Sequence, residues 1–221
     1  MNPQFDEPAI NDNRNYNYEN FQSFERVEYP IITAMVEKNS KVIDLGCGNG
    51  SLLEKLIKEK NVVGQGIEIS KSGVEACLKK GLNVAEGKID ELLPFPDNSF
   101  DYAICNVTIQ MVMYPEILLK EMKRIARYQV VSFPNFAYWK NRIDLLLHGR
   151  MPQPMLFGYS WYGTGHIHQF SVKDFFELVN GIGNMEIMKL LDSRNDFSFI
   201  KRIFPNYFLY IPIYLLKKND K

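Results

Sequence analysis

Hydrophobic and polar positions along this chain switch repeatedly between two periods. Short apolar runs recur, each followed by a stretch with apolar residues at helical spacing. Val42 to Leu45 leads into a helix pattern from about Gly50 to Lys60. Val62 to Ile69 leads into a second helix from Ser70, a suitable N-cap, to Lys80, with Gly81 as the stop signal. Leu82 to Ala85 is a third short strand, followed by a loop. Phe100 to Asn106 is a fourth, followed by a helix from about Pro115 to Arg127, and Val130 to Phe133 is a fifth. Upstream, Phe21, Phe24, Val27 and Ile31 fall at helical spacing within Phe21 to Val36, with Pro30 forcing a break or a fresh start. Short strands alternating with amphipathic helices predict an α/β fold: a parallel sheet with helices on both faces.

The second half departs from this alternation. Asn135 to Leu147 reads as a helix ending near His148-Gly149. Residues 149–170 are rich in Pro, Gly and aromatics, too aromatic for disorder, and read as a lid or substrate-side insertion. Ser171 and Asp174 form a capping box that opens a helix to about Asn180. Met185 to Leu191 and Tyr207 to Leu216 complete a seven-stranded, mostly parallel sheet with one antiparallel strand, the last. Residues 1–20, Asn-rich with Tyr16 and Tyr18 interleaved, read as a flexible arm before a single domain over 21–221.

The 221 residues carry 26 Lys+Arg and 26 Asp+Glu, so no global charge favours nucleic acid or an anionic membrane. No run approaches the roughly 18 apolar residues of a membrane span. The N-terminus lacks the pattern of a signal peptide. Three cysteines, Cys47, Cys77 and Cys105, fit neither zinc ligation nor a redox pair, and no other metal-ligand set stands out. The expectation is a cytoplasmic protein with reduced thiols, a monomer or homodimer.

Chemistry concentrates at Asp44-Leu-Gly-Cys-Gly-Asn-Gly50. Gly46, Gly48 and Gly50 at a strand-to-helix turn let backbone approach a ligand closely. Asp44 adds a carboxylate that suits a nucleoside with an amino-acid tail, hence S-adenosyl-L-methionine, better than a pyrophosphate. Glu68 ends the next strand, where an acidic side chain accepts hydrogen bonds from ribose hydroxyls. Ile89, in Gly87-Lys88-Ile89-Asp90, can pack on a flat adenine.

These motifs, with Leu93-Pro-Phe-Pro-Asp-Asn-Ser-Phe-Asp101, resemble the class I S-adenosylmethionine-dependent methyltransferases over about residues 40–135. The resemblance implies their Rossmann-like fold, with S-adenosyl-L-homocysteine as product. It further implies that backbone around Gly46, Cys47 and Gly48 cradles the methionine part. Ile69 would flank the adenine, and Asn106 would meet the amino group through its carbonyl. Lys88 departs from the family, where many members carry an Asp that accepts from the adenine amino group. Lysine cannot accept, so adenine recognition there is backbone-mediated or altered. Val131-Ser-Phe-Pro-Asn-Phe-Ala-Tyr-Trp139, His148-Gly-Arg-Met-Pro152 and His166-Ile-His168 are similar to the narrower MetW family of methionine biosynthesis. That likeness implies cooperation with homoserine O-acyltransferase as well as, or instead of, methyl transfer.

Methyl transfer requires positioning first, and a base only if the acceptor must lose a proton. Candidates for contact with a small-molecule methyl acceptor are His166, His168, Asn135 and Tyr162, with Gln110, Tyr138 and Trp139 near the expected mouth. For His166 and His168 the alternative is a structural tie holding the long segment to the sheet. The rival to an enzyme is a non-catalytic partner of homoserine O-acyltransferase that uses Phe157 to Tyr162 as its contact surface.

Overall fold

The computed structural model describes residue 18 and residues 25–152, 161–194 and 198–219. Most of the expected arm, Phe21 and Phe24 of the first helix pattern, and residues 153–160 of the Gly/aromatic segment lie outside these. The elements are α1 Tyr29–Met35, β1 Lys41–Leu45, α2 Ser51–Lys60, β2 Val63–Glu68, α3 Lys71–Lys79, β3 Val84–Glu86, β4 Phe100–Asn106, a 3-10 turn Ile109–Met111, α4 Pro115–Ile125, β5 Ala126–Ser132, α5 Trp139–His148, α6 Val172–Ile182, β6 Met185–Asp192, α7 Ser198–Ile203, α8 Pro205–Phe208 and β7 Pro212–Lys218. They form one seven-stranded sheet of order β3-β2-β1-β4-β5-β7-β6. β1 to β5 pair in parallel, and β7 runs antiparallel to both of its neighbours. The sheet is therefore the mixed Rossmann-like one expected, with the last strand reversed.

Strand alternation divides the core. Ile43, Leu45, Ala103, Cys105, Val131 and Phe133 face one side, where Leu118, Leu119 and Met122 of α4 and Phe175 of α6 cover them. Val42, Tyr102, Ile104 and Val130 face the other, under Ile32 of α1 and Leu52 and Leu56 of α2. β1 is buried along four of its five residues, as a central parallel strand must be. Pro30 and Pro115 occupy the first turns of α1 and α4, where a missing N–H costs nothing. The Ser171–Asp174 capping box forms as read, with both reciprocal bonds present.

Several boundaries differ from the sequence reading. β5 starts at Ala126, directly after α4, because Ala126 already pairs with Phe100 and Tyr128 stacks on Tyr102 at 5.1 Å. Residues 135–138 turn before α5 begins at Trp139. The Tyr207 to Leu216 strand is corrected in two ways. Tyr207 lies in α8, which Pro205 opens, and β7 begins only at Pro212 and runs on to Lys218. The short helix α7 has no counterpart in the sequence reading. Among the described residues, no helix is long and apolar enough to cross a membrane.

Candidate functional site

The strand order reverses direction between β1 and β4, and ligands of open α/β sheets bind outside the carboxyl ends at such a point. A cavity of about 750 Å³ opens there, within the roughly 300–1,000 Å³ of small-molecule sites. Asp44, the turn residues Gly46, Cys47 and Gly48, and Glu68 line one end. Ile69, Lys88 and Ile89 line another part, and Asn106 lies beside Thr108. Gly46 has φ 78°, and a Cβ there would lie 2.5 Å from Thr108 Cγ2. Gly48 has φ 57°. Its N–H donates to Glu68 Oε2 at 2.7 Å, and the Ser70 N–H donates to Oε1 at 2.9 Å. Glu68 thus fixes the turn from both of its oxygens.

Asp44 is 1% exposed, and its Oδ1 has no hydrogen-bond partner among the described residues. Burial, then the Glu68 carboxylate, push its carboxyl up to about 7. Two buried carboxyls, one short of partners, favour a ligand that brings positive charge. Val107, next along from Asn106, sits at φ 51°, a left-handed backbone that a β-branched residue rarely adopts. It is held there by Ser132: the Val107 N–H donates to the Ser132 carbonyl and to its Oγ, both at 3.0 Å. Ser132 Oγ donates to Asn106 Oδ1 at 2.6 Å, so the Asn106 side chain is occupied. Thr108 Oγ1 donates to the Asn106 carbonyl at 3.0 Å.

Two residues of the cofactor expectation contribute differently from the rest. Gly50 does not line the cavity; a Cβ there would strike Leu82 and Cys77, so it permits close packing of the turn on α3. Cys47 lines the cavity and also packs in a small core with Cys77 and Leu53.

The acceptor candidates are dispersed. Asn135 is not among the residues that line the cavity. It is fully buried, its Nδ2 donates to the Leu209 and Asn206 carbonyls at 2.8 and 3.2 Å, and its Oδ1 accepts from the Ala137 N–H at 3.1 Å. These bonds tie the end of β5 to the approach to β7. His166 lies off the cavity, edge-on to Phe136 and 3.5 Å from Gln110 Nε2, and burial holds it down to about 4. His168 Nε2 is 3.3 Å from the Met113 carbonyl, also outside the lining. Ile167 between them does line the cavity. The Gln110 carbonyl accepts from the N–H groups of both Ile167 and His168 and so presents Ile167 inward. Tyr162 is exposed beside Trp161 and does not reach the cavity. Tyr138 is buried, its hydroxyl 3.4 Å from Arg194, and Trp139 opens α5 outside the lining.

A sequence model for "Methionine biosynthesis protein MetW" matches residues 26–216. The chain belongs to the MetW family. Among its relatives, a bifunctional methionine biosynthesis protein MetXA/MetW of Rhodopirellula baltica is 36% identical over 148 residues, which is 62% of this chain and 24% of that one. Demethylmenaquinone methyltransferase of Staphylococcus aureus is 33% identical over 98 residues, 42% of this chain and 41% of that one. The chain thus matches only about a quarter and two fifths of the lengths of these relatives. An S-adenosylmethionine-dependent methyltransferase of Mesorhizobium loti has the same fold, with TM-score 0.61 and 14% identity over 87% of this chain and 98% of that one.

In this MetW chain, several cavity residues escaped the sequence reading. Thr108, Met111, Met113 and Tyr114 follow β4 and line the cavity, as do Arg26 before α1 and Tyr29 at its start. Their residue types carry no signal of their own. The one available clue was position: the loop after β4 belongs to the same carboxyl edge as the glycine turn. Tyr18 also lines the cavity, from outside the span that matches the family.

Proposed function

We propose that this chain binds S-adenosyl-L-methionine in the cavity between β1 and β4 and acts as a methyltransferase on a small acceptor. The buried Asp44 oxygen beside Glu68, without a hydrogen-bond partner among the described residues, carries this reading, because it provides an acidic floor for a positively charged ligand. When bound, the cofactor supplies a methyl group on a sulfonium sulfur, open to in-line displacement. Asp44 would balance the cofactor's positive charge. Glu68, held in place by the Gly48 and Ser70 N–H groups, would accept from the ribose hydroxyls. The backbone of Gly46, Cys47 and Gly48 would lie along the methionine part, and Ile69 and Ile89 would flank the adenine. Lys88 would leave the adenine amino group to backbone carbonyls. The Asn106 carbonyl, already accepting from Thr108, would take a second bond from the amino group.

His166 and His168 lie off the cavity, so this reading rests on orientation and water exclusion by the chain and needs no imidazole base. Isothermal titration of the folded chain with S-adenosyl-L-methionine tests the reading. Saturable one-to-one binding is expected; no heat at millimolar ligand would sink it.

A second reading is favoured by the Rhodopirellula relative, whose name joins MetXA and MetW in one protein. In it the chain serves as a non-catalytic partner of homoserine O-acyltransferase and retains the fold. A stable complex with that enzyme, whose activity depends on this chain without any methyl transfer, would favour it.

A further inference from the structure

We infer that Tyr18 is a cofactor-binding residue, forming the cavity wall over Gly48 and Glu68. The inference rests on the S-adenosyl-L-methionine reading and adds a contact that family membership does not assign, because the family match begins at residue 26. Tyr18 lines the cavity. Its backbone N–H donates to Ser72 Oγ at 3.2 Å, which anchors it to the first turn of α3.

The ring rests on two glycines. A Cβ on Gly48 would meet the Tyr18 hydroxyl oxygen at 3.1 Å and Cζ at 3.3 Å. A Cβ on Gly73 would meet Tyr18 Cδ2 at 3.2 Å, Glu68 Cγ at 2.9 Å and the Gly48 carbonyl at 2.9 Å. Glycine inside a helix is destabilising relative to alanine. At position 73 it is needed because the turn, the Glu68 side chain and the Tyr18 ring converge on the same space. The ring therefore spans from the glycine turn to α3, against the side chain assigned to the ribose. An aromatic wall there would contact the ligand with a stiff side chain. It would also keep water from the Glu68 carboxylate, where hydrogen bonds gain strength as the surroundings dry.

The test uses the full-length chain and measures affinity and dissociation rate for S-adenosyl-L-methionine and S-adenosyl-L-homocysteine. Tyr18→Ala should bind about tenfold more weakly and release the ligand correspondingly faster. Tyr18→Phe, which keeps the ring, should stay within about threefold of wild type. Ser72→Ala keeps the ring but loses its anchor and should fall between the two. A comparable loss in both Tyr18 variants would still support the contact and assign it to the hydroxyl. Wild-type binding with unchanged affinity and release in Tyr18→Ala and Ser72→Ala would overturn the inference while leaving the cofactor reading intact. Failure of the wild-type chain to bind would instead remove the reading on which the inference rests.

Discussion

At the carboxyl end of β1, Asp44 is buried with one oxygen unpartnered among the described residues. At the carboxyl end of β5, Asn135 is buried as deeply, yet its amide oxygen and nitrogen make three bonds to neighbouring backbone. Both are polar side chains at the edge where open α/β sheets hold ligands. The first is placed at a cost, since burial and Glu68 hold its carboxyl away from its ordinary ionisation. The second closes two chain segments onto each other. Residue type and edge position do not separate a ligand-facing group from a structural tie. What separates them is whether the hydrogen-bonding capacity is already used.

The largest expected effects come from substituting the two edges in parallel. Asn135→Ala leaves two carbonyls and one N–H without their partner and should lower unfolding stability by about 3 kcal/mol. Denaturant titration would measure this, and affinity for S-adenosyl-L-methionine below the transition should stay near wild type. Glu68→Ala should weaken cofactor binding by roughly 1–3 kcal/mol through loss of the ribose acceptor, and should also lower stability because the Gly48 and Ser70 N–H groups lose their acceptor. A loss of affinity in Asn135→Ala, at retained stability, would return that residue to the site and break the comparison.

A smaller effect follows from pH. The Asp44 carboxyl stands at about 7 in the folded chain, against roughly 4 in the unfolded one. Its folded value is raised, so ionisation is costlier in the native state. Its contribution to stability should fall as pH rises from about 4 to 7 and level off above. Affinity for a positively charged ligand should move the opposite way, tightening as pH rises through about 7. Asp44→Asn should flatten both trends. Melts between about pH 4 and 8, and ligand titrations between about pH 6 and 8, would expose a wrong sign in either.

The sheet and the glycine cradle were legible because they are written in patterning. Apolar runs punctuated by Gly, Pro and caps located five of the seven strands closely, and Asp44 with Glu68 marked the cavity end of β1 and β2. Tyr207 to Leu216 misled because an apolar run of that length does not reveal a proline-started helical turn before the strand. The acceptor candidates misled for a different reason. His166, His168 and Asn135 have the residue types of catalysis, but the fold spends Asn135 on backbone ties and turns Ile167, not its flanking histidines, toward the cavity. Thr108, Met111 and Tyr18 face the cavity with side chains that no motif singles out.

The most direct test of the account is a crystal structure of the chain with S-adenosyl-L-homocysteine. Density is expected between β1 and β4, with ribose hydroxyls on Glu68 and the amino-acid end over Gly46 and Gly48. A fully occupied ligand bound elsewhere, with this cavity closed around Asp44, would contradict it.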